Sequence, residues 1–217
     1  DLGRTIYVAA GVDVTVRGLH IQGGNATVGG GPDAGGGVYA DNATLTLQNV
    51  HISNNQAADG GAMMADTATI HIMDSQIFDN AAVNGGGLYA ENAALYVTLS
   101  HIFDNTATHG GGVYLFQSAG AEIAQNTLRH NTANQGGALY LAQSPANITS
   151  NHIYANSGAR GGGLYLDASD ARVVNNVVVD NTANDLGSGL YINASAPRVL
   201  HLTIARNQGA AGSGIHL

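Results

Sequence analysis

The chain has 217 residues and a net charge of −8, with 31 Gly, no Cys and only 10% charged residues. It contains no Lys, and an acidic chain without a basic stripe cannot displace the counterions of a nucleic acid, so nucleic-acid binding is excluded. The lack of Cys excludes disulfides and thiolate metal sites. No apolar run approaches the roughly 20 residues of a membrane-spanning helix, so no membrane insertion is expected.

A glycine-rich phrase of six residues recurs along most of the chain. One copy is Gly85-Gly86-Gly87-Leu88-Tyr89-Ala90. The eight copies begin at Gly35, Gly60, Gly85, Gly110, Gly136, Gly161, Gly187 and Gly212. Such a regular spacing, 25 or 26 residues, is the signature of a solenoid, in which each unit buries its apolar face against its neighbours. We therefore predict a single domain over residues 1–217.

The elements follow the same order in every repeat. The predicted domain begins with an incomplete first coil (1–24) and a protruding loop (25–34), followed by regular coils (35–217). Residues 25–34 are either a loop that takes part in binding or a flexible loop with no binding role. Asp185-Leu186 adds a one-residue bulge before Gly187.

Three short runs in each repeat alternate apolar and polar residues. In residues 35–59 these runs are Val38-Tyr39-Ala40, Leu45-Thr46-Leu47 and Val50-His51-Ile52. A period of two indicates strands. The prediction is an all-β, single-stranded parallel β-helix of about eight coils with three short strands per coil.

Equivalent positions should stack in columns, because coils lie about 4.8 Å apart. Aliphatic residues predict three inward columns that form a continuous core. The first column is Val38, Met63, Leu88, Val113, Leu139, Leu164, Leu190 and Ile215. The second is Leu47, Ile72, Val97, Ile123, Ile148, Val173 and Val199. The third is Ile21, Ile52, Ile77, Ile102, Leu128, Ile153, Val178 and Ile204.

An asparagine recurs three residues after the third column. Asn tolerates left-handed backbone, and its amide can bond to the coils above and below. We interpret this set as a structural asparagine ladder rather than a catalytic feature. Its members are Asn55, Asn80, Asn105, Asn131, Asn156, Asn181 and Asn207.

The tyrosine column is the most regular outward feature. It consists of Tyr7, Tyr39, Met64, Tyr89, Tyr114, Tyr140, Tyr165, Tyr191 and His216. Because these residues alternate with core aliphatics, we expect them to face solvent. Three roles are open: stacking that stabilises the sheet, a lateral contact with another copy, and an aromatic platform for a polysaccharide.

Carboxylates and histidines form weaker columns. Asp41, Asp66 and Glu91 are expected on adjacent coils, where stacked carboxylates offer a weak Ca²⁺ site. Asp79 and Asp104 form a second acidic pair. His20, His51, His101 and His152 share one outward column, in which only His20 and His51 are on adjacent coils. A solvated face is the better interpretation of these histidines, and no metal is assigned to them.

Catalysis is the minority interpretation. Polysaccharide lyases and hydrolases use clustered carboxylates, and lyases add an Arg or Lys base. Arg172 and Arg198 stack in a column with Glu122 and Asn147, but no carboxylate pair accompanies them. We therefore assign no catalytic residue.

Two repeated phrases resemble a known pattern. Gly60-Gly61-Ala62-Met63 and residues 136–139 are similar to the Gly-Gly-Ala-aliphatic phrase of chlamydial polymorphic membrane proteins. Their Phe-x-x-Asn phrase has an aliphatic counterpart in Ile77-x-x-Asn80 and Ile102-x-x-Asn105. More widely, the chain resembles the right-handed parallel β-helix repeat proteins of bacterial surfaces. The resemblance implies a right-handed fold and an extracellular or cell-surface stalk.

The two ends of the chain are in the same phase. The first strand-like run is Ile6-Tyr7-Val8 and the last is Ile215-His216-Leu217. Neither end of the given sequence shows a pattern expected of a capping element. Either the chain is a piece of a longer β-helix, or copies dock head to tail into a filament. We expect a non-enzymatic, adhesin-like structural protein that associates with itself. Binding or degradation of polysaccharide is the alternative.

Overall fold

A computed structural model describes residues 3–28 and 33–217 of the chain. The backbone winds into stacked coils, and each strand pairs in parallel with the equivalent strand of the next coil. Within the described residues the strands form three long sheets, which we call A, B and C, and a short sheet D. This is the predicted all-β parallel β-helix with three main strands per coil.

Sheets A, B and C each contain one strand from every coil that they cross. Sheet A contains β1 (Ile6–Val8), β4 (Val38–Asp41), β7 (Met63–Asp66), β10 (Leu88–Glu91), β13 (Val113–Phe116), β16 (Leu139–Ala142), β20 (Leu164–Asp167), β24 (Leu190–Asn193) and β28 (Ile215–His216). Sheet B contains β2 (Asp13–Arg17), β5 (Thr44–Gln48), β8 (Thr69–Met73), β11 (Ala94–Thr98), β14 (Glu122–Ala124), β17 (Asn147–Thr149), β21 (Arg172–Val174) and β25 (Arg198–Leu200). Sheet C contains β3 (His20–Gln22), β6 (His51–Ser53), β9 (Gln76–Phe78), β12 (His101–Phe103), β15 (Thr127–Arg129), β18 (His152–Tyr154), β22 (Val177–Val179) and β26 (Thr203–Ala205).

Sheet D lies between sheets C and A in the last coils. It contains β19 (Ser157–Arg160), β23 (Thr182–Leu186) and β27 (Gln208–Ala211). In the pairing of β19 with β23, Gly158 faces Ala183 whereas Arg160 faces Leu186, so β23 has one extra residue. The predicted one-residue bulge at Asp185-Leu186 is confirmed.

The first coil supplies one strand to each long sheet. These strands are β1, β2 and β3. A short 3₁₀-helix, η1 (Ala26–Val28), begins the predicted loop. The loop is flanked by bridges from Asn25 to Gln56 and from Ala34 to Asp59. Its glycine-proline segment, residues 29–32, lies outside the described residues.

The three aliphatic columns form one core. Val38 pairs with Met63 in sheet A, Leu47 with Ile72 in sheet B, and Ile52 with Ile77 in sheet C. Nearly all members of these columns are fully buried in one hydrophobic cluster. The core columns predicted from the period of two are therefore confirmed.

The asparagine ladder is also confirmed as a structural feature. Each Asn is buried, and the Nδ2 of every member before Asn207 donates to the Oδ1 of the Asn one coil further on, at 2.9–3.0 Å. The backbone N–H of each of these six residues donates to the same Oδ1, as from Asn55 to Asn80. One side chain thus satisfies polar groups of two coils, which a buried corner requires.

The left-handed residue of this corner is not the ladder asparagine. It is the residue before it, for example Asn54, Asp79 or Ala155, with φ of 54–55°. The ladder Asn does not adopt this conformation, because its side chain has to enter the coil while the preceding residue makes the turn. Several of these left-handed positions hold residues such as Ala, His or Arg. These residue types disfavour the left-handed conformation, which Gly, Asn and Asp tolerate better.

Two further ladders, which were not predicted from the sequence, lie at the other two corners. Ser100 accepts from the backbone N–H of Ser75, and Asn126, Asn151 and Asn176 continue the column. At the corner between sheets A and B the ladder residues are Ser118, Ser144, Ser169 and Ser195. Their spacing of 25–26 residues was visible, but the mixture of Ser and Asn with Ala or Val in other coils hid the pattern.

The glycine corner has two separate steric causes. Gly85 has φ +61°, and a Cβ there would lie 2.8 Å from the Cβ of Tyr89. A Cβ on Gly86 would lie 2.6 Å from the carbonyl oxygen of Gly111 in the next coil. The first glycine therefore permits the turn and the second permits close approach of coils. At the second position Ser188 is tolerated, and its Oγ donates to the Gln208 carbonyl at 2.6 Å.

The substitution Asn131→Ala tests the asparagine ladder. It removes the acceptor for two Asn105 donors and the donor to the Ile102 carbonyl, all buried. We expect the free energy of unfolding to fall by about 2–4 kcal/mol, measured by urea titration. The exposed Asn134→Ala is the control and should change stability by less than about 0.5 kcal/mol. Equal effects of the two substitutions would contradict this energetic role.

Candidate functional site: the tyrosine column and its groove

The tyrosine column is in register, as predicted, but it is not a solvent-facing stripe. Tyr7 pairs with Tyr39, and Tyr89 pairs with Tyr114, in the order expected from the repeat. Tyr7 is 52% exposed, whereas Tyr89, Tyr140 and Tyr165 are 6%, 7% and 4% exposed. The prediction that these side chains face solvent was wrong for the middle coils. Their ring neighbours and the segment before each glycine corner cover them, as the contacts of His109 show.

Ring stacking explains much of this burial. The Tyr114 and Tyr140 centroids are 4.7 Å apart at an interplanar angle of 11°, and Tyr89 stacks on Tyr114 at 4.9 Å. Tyr165 and Tyr191 stack at 4.7 Å, while Tyr140 meets Tyr165 edge-on. Ring faces that already contact neighbouring tyrosines are not open to a sugar ring. The arrangement favours the stabilising role over the platform for a polysaccharide.

The tyrosine hydroxyls use the acidic column beside them. Tyr7 donates to Asp41 at 3.1 Å and Tyr39 donates to Asp66 at 3.3 Å, in each case one coil further on. Tyr89 donates to Glu91 at 3.4 Å within its own coil. The stacked carboxylates, proposed as a Ca²⁺ site, are thus hydrogen-bond acceptors for phenols. Across residues 3–28 and 33–217, no three His, Asp or Glu side chains form a group that could hold a metal ion.

Burial and nearby carboxylates both disfavour the phenolate. Burial, followed by the charge of Asp66, raises the pKa of Tyr39 to about 12. Burial likewise raises the pKa of Tyr114 to about 12 and raises the pKa values of Tyr89 and Tyr140. These raised pKa values favour the neutral phenol at physiological pH.

A second polar column runs along the segment before the glycine corner. Asn84 Nδ2 donates to Asp59 Oδ1 at 2.8 Å, and Asn84 Oδ1 lies 2.9 Å from His109 Nδ1. Because the amide oxygen is an acceptor, His109 carries its hydrogen on Nδ1 and keeps the Nε2 lone pair. Burial lowers the pKa of His109, which favours this neutral form. The column thus presents one oriented, uncharged imidazole.

A shallow groove of about 360 Å³ lies beside this column. Its lining consists of Thr108, His109, Asn134, Gln135, Ala159, Arg160 and Asp185. Arg160 Nε donates to Asp185 Oδ2 at 2.7 Å, so the charged groups of the lining balance each other. Hydroxyl, amide and imidazole groups remain as hydrogen-bonding partners. The groove suits an uncharged polar ligand better than an ion.

The histidine and arginine columns are also in register, as their strand pairings show. His20 pairs with His51, with ring centroids 5.9 Å apart, and His20 Nε2 lies 2.8 Å from Ser53 Oγ. Asn147 pairs with Arg172 and Arg172 with Arg198, as expected. Among the described residues of that column, Arg172 and Arg198 have no carboxylate pair of the kind a hydrolase uses.

A half-buried aromatic row on sheet C was not predicted from the sequence. Phe78 and Phe103 stack at 4.9 Å with an interplanar angle of 3°, and the Arg129 guanidinium lies 4.3 Å from the Phe103 centroid. Tyr154 is the next residue of the row. The sequence pattern that could have revealed this row is an aromatic residue directly after the third core column. Only Phe78 and Phe103, on adjacent coils, and Tyr154 have this position. Its ring faces, like those of the tyrosines, are occupied by neighbours.

The two predicted assembly strands lie at the edges of sheet A. Among the described residues β1 pairs only with β4, and β28 pairs only with β24. Ile215 is 43% exposed and Leu217 is 88% exposed. Ile6, Tyr7 and Val8 at one edge therefore have the same strand phase as Ile215 and His216 at the other.

Comparison with known families agrees with this architecture. The family model described as right handed beta helix region matches residues 2–128 and 83–217. The chain belongs to the right-handed β-helix family. This family includes both enzymes and non-enzymes. Searches of curated proteins and of solved structures returned no match. Among the described residues of this β-helix, no helix has the length and hydropathy needed to span a membrane.

The raised tyrosine pKa values predict a loss of stability in alkali. Unfolded tyrosines titrate near pH 10, whereas Tyr39 and Tyr114 in the native state titrate near 12. The native state therefore holds more protons between these values, and stability falls as pH rises from 10 to 12. Urea midpoints and absorbance at 295 nm across this range measure the effect.

Tyr114→Phe is the matched variant for this measurement. It retains the stacked ring but removes one titrating phenol, so its stability should fall less steeply above pH 10. A wild-type stability that is constant from pH 10 to 12 would contradict the burial of these phenols.

Proposed function

We propose that this β-helix is a non-enzymatic structural protein of the cell surface or extracellular space, where it forms a stalk like that of an adhesin. Copies, or further coils of the same polypeptide, stack on its end coils. The observation that carries this proposal is the use of the repeated polar side chains. The ladder residues of all three corners bond to the adjacent coil, as Asn80 does to Asn105 and Ser118 to Ser144.

The ladders support a rod-like structural role. A residue that recurs in each coil for stacking stabilises the solenoid as a whole, since each unit contacts only its neighbours. The tyrosine hydroxyls follow the same rule, because Tyr39 and Tyr140 each bond to a carboxylate of the next coil. The residues most strongly repeated in the sequence thus stabilise contacts between coils.

Composition and resemblance support the location outside the cell. The chain has no Cys, as is common in bacterial surface proteins, and its two repeated phrases resemble those of surface stalks. The surface is rich in neutral Asn, Thr, Ser and Gln, which keeps a chain of low charge in solution.

The edge strands support end-to-end stacking. A coil that docks on β28 can continue sheet A, and the equivalent strand β1 offers the matching edge. Because the two surfaces differ, such a contact is heterologous and extends into a fibre instead of closing into a ring. Unpaired strand edges readily form contacts of this kind.

Sedimentation velocity over a wide concentration range tests end-to-end association. We expect larger species to appear with rising concentration for the wild type. Ile215→Lys places a charge on the edge strand and should keep the protein monomeric. Leu99→Lys is the control, because Leu99 is also exposed, at 55%, but lies at a corner in the middle of the rod. A wild type that is monomeric at all concentrations would rule out self-association.

Polysaccharide binding is the second candidate function, and the groove beside His109 favours it. Its neutral hydrogen-bonding lining matches the hydroxyl groups of a sugar, whereas the buried tyrosine rings do not offer a platform. We expect binding to neutral polysaccharides on a glycan array to be weakened by Arg160→Gln.

Arg206→Gln is the matched control for the groove. Its guanidinium bonds to Asp180 at 2.6 Å, an ion pair like that of Arg160, but Arg206 lies at a different corner. Equal binding by both variants and the wild type, or no binding at all, would eliminate the groove as a glycan site. Release of oligosaccharides by the intact protein would replace the non-enzymatic proposal with a degrading enzyme.

A further inference from the structure

Two arginines stand side by side on the outer face of sheet B. Arg172 in β21 and Arg198 in β25 are register partners on adjacent coils, and both side chains are exposed. Adjacent strands are about 4.8 Å apart, so the two residues face each other across a single coil spacing. Like charges directly opposite each other destabilise a sheet. A compensating anion is therefore expected at this position.

The described residues supply no such anion as an ion-pair partner. Among the described residues, neither Arg172 nor Arg198 forms an ion pair, whereas Arg160 and Arg206 bond to aspartates at 2.7 Å and 2.6 Å. Asp170, close in sequence, accepts from the backbone N–H of Ala196 at 2.7 Å. The nearest acid in the same column, Glu122, is separated from Arg172 by the Asn147 coil.

The distribution of charge along the rod favours an anion at this end. Residues 33–122 carry nine acidic side chains and no Arg or Lys. Residues 123–217 carry four acidic side chains and five arginines. An anion is therefore repelled by the first part of the rod and attracted to the last coils, where the arginine pair lies.

We propose that Arg172 and Arg198 together bind an oxyanion, a sulfate or phosphate group, between their guanidinium groups. Each guanidinium can donate two parallel hydrogen bonds to such a group, and Arg is the side chain best matched to this geometry. The Asn147 amide, next in the column, supplies a neutral donor on the same face. The bound group removes the repulsion that the bare pair creates.

Side-chain NMR of the arginine Nε–H groups tests this site directly. Sodium sulfate is titrated against sodium chloride at constant ionic strength. We expect saturable shifts of the Arg172 and Arg198 signals. Arg17, an exposed arginine on the same sheet whose register partner is Gln48, is the internal control and should not saturate. Inorganic phosphate should produce the same pattern.

Two variants complete the test. Arg172→Gln should weaken sulfate binding at Arg198 about tenfold, because one charge-assisted partner is lost. Arg198→Glu converts the repulsive pair into an attractive one, so it should abolish sulfate binding and raise the unfolding midpoint at low salt. Shifts at Arg17 equal to those at Arg172, or shifts that never saturate, would overturn the proposal.

The source of the group is determined by comparison of two probes. Inorganic sulfate and a sulfated oligosaccharide are compared at equal sulfate concentration. Tighter binding of the oligosaccharide assigns the site to a polymer-borne group, and equal binding assigns it to a free ion.

Discussion

Everything in this structure depends on the in-register stacking of one coil on the next. Because strands pair in parallel at a fixed spacing, each residue from the second coil onward meets its own equivalent 25 or 26 positions further along the chain. A residue type that stabilises itself in a column is therefore favoured in every coil. Isoleucine and leucine fill the core in this way, and asparagine does the same at a buried corner, because its amide both donates and accepts.

The corners show how this constraint limits backbone choice. Each coil has to turn within a few residues, and its corners place single residues in the left-handed region. At the glycine corner the turn also brings coils so close that Gly86 has no room for a Cβ. At the other corners the side chain of the left-handed residue points outward, so Leu99 and Arg206 are sterically accommodated there despite their poor preference for this backbone.

The tyrosine column combines stacking with electrostatics. Rings stacked at the coil spacing exclude water from each other, and the hydroxyl at the rim bonds to a carboxylate. The carboxylates of Asp41, Asp66 and Glu91 lie on adjacent coils and repel each other. A neutral phenol that donates a hydrogen bond to each of them offsets part of that repulsion. Among the described residues Arg172 and Arg198 have no ion-pair partner of this kind, which is why we propose that their column takes an anion from solution.

The sequence by itself determined the fold, because the period of 25–26 residues and the alternation within each strand leave one arrangement in which Leu88, Ile102 and their equivalents are all buried. It also determined the asparagine ladder, since a single residue type repeats there. Only the tertiary structure decided that Tyr89 and Tyr140 are buried, that His109 is oriented by Asn84, and that a serine ladder and a mixed Ser and Asn ladder occupy the two further corners. The alternation of apolar and polar residues shows which side chains point away from the core. The segment between sheets C and A, which covers some of these side chains, does not show this alternation. Contacts across that corner are decided by packing in three dimensions.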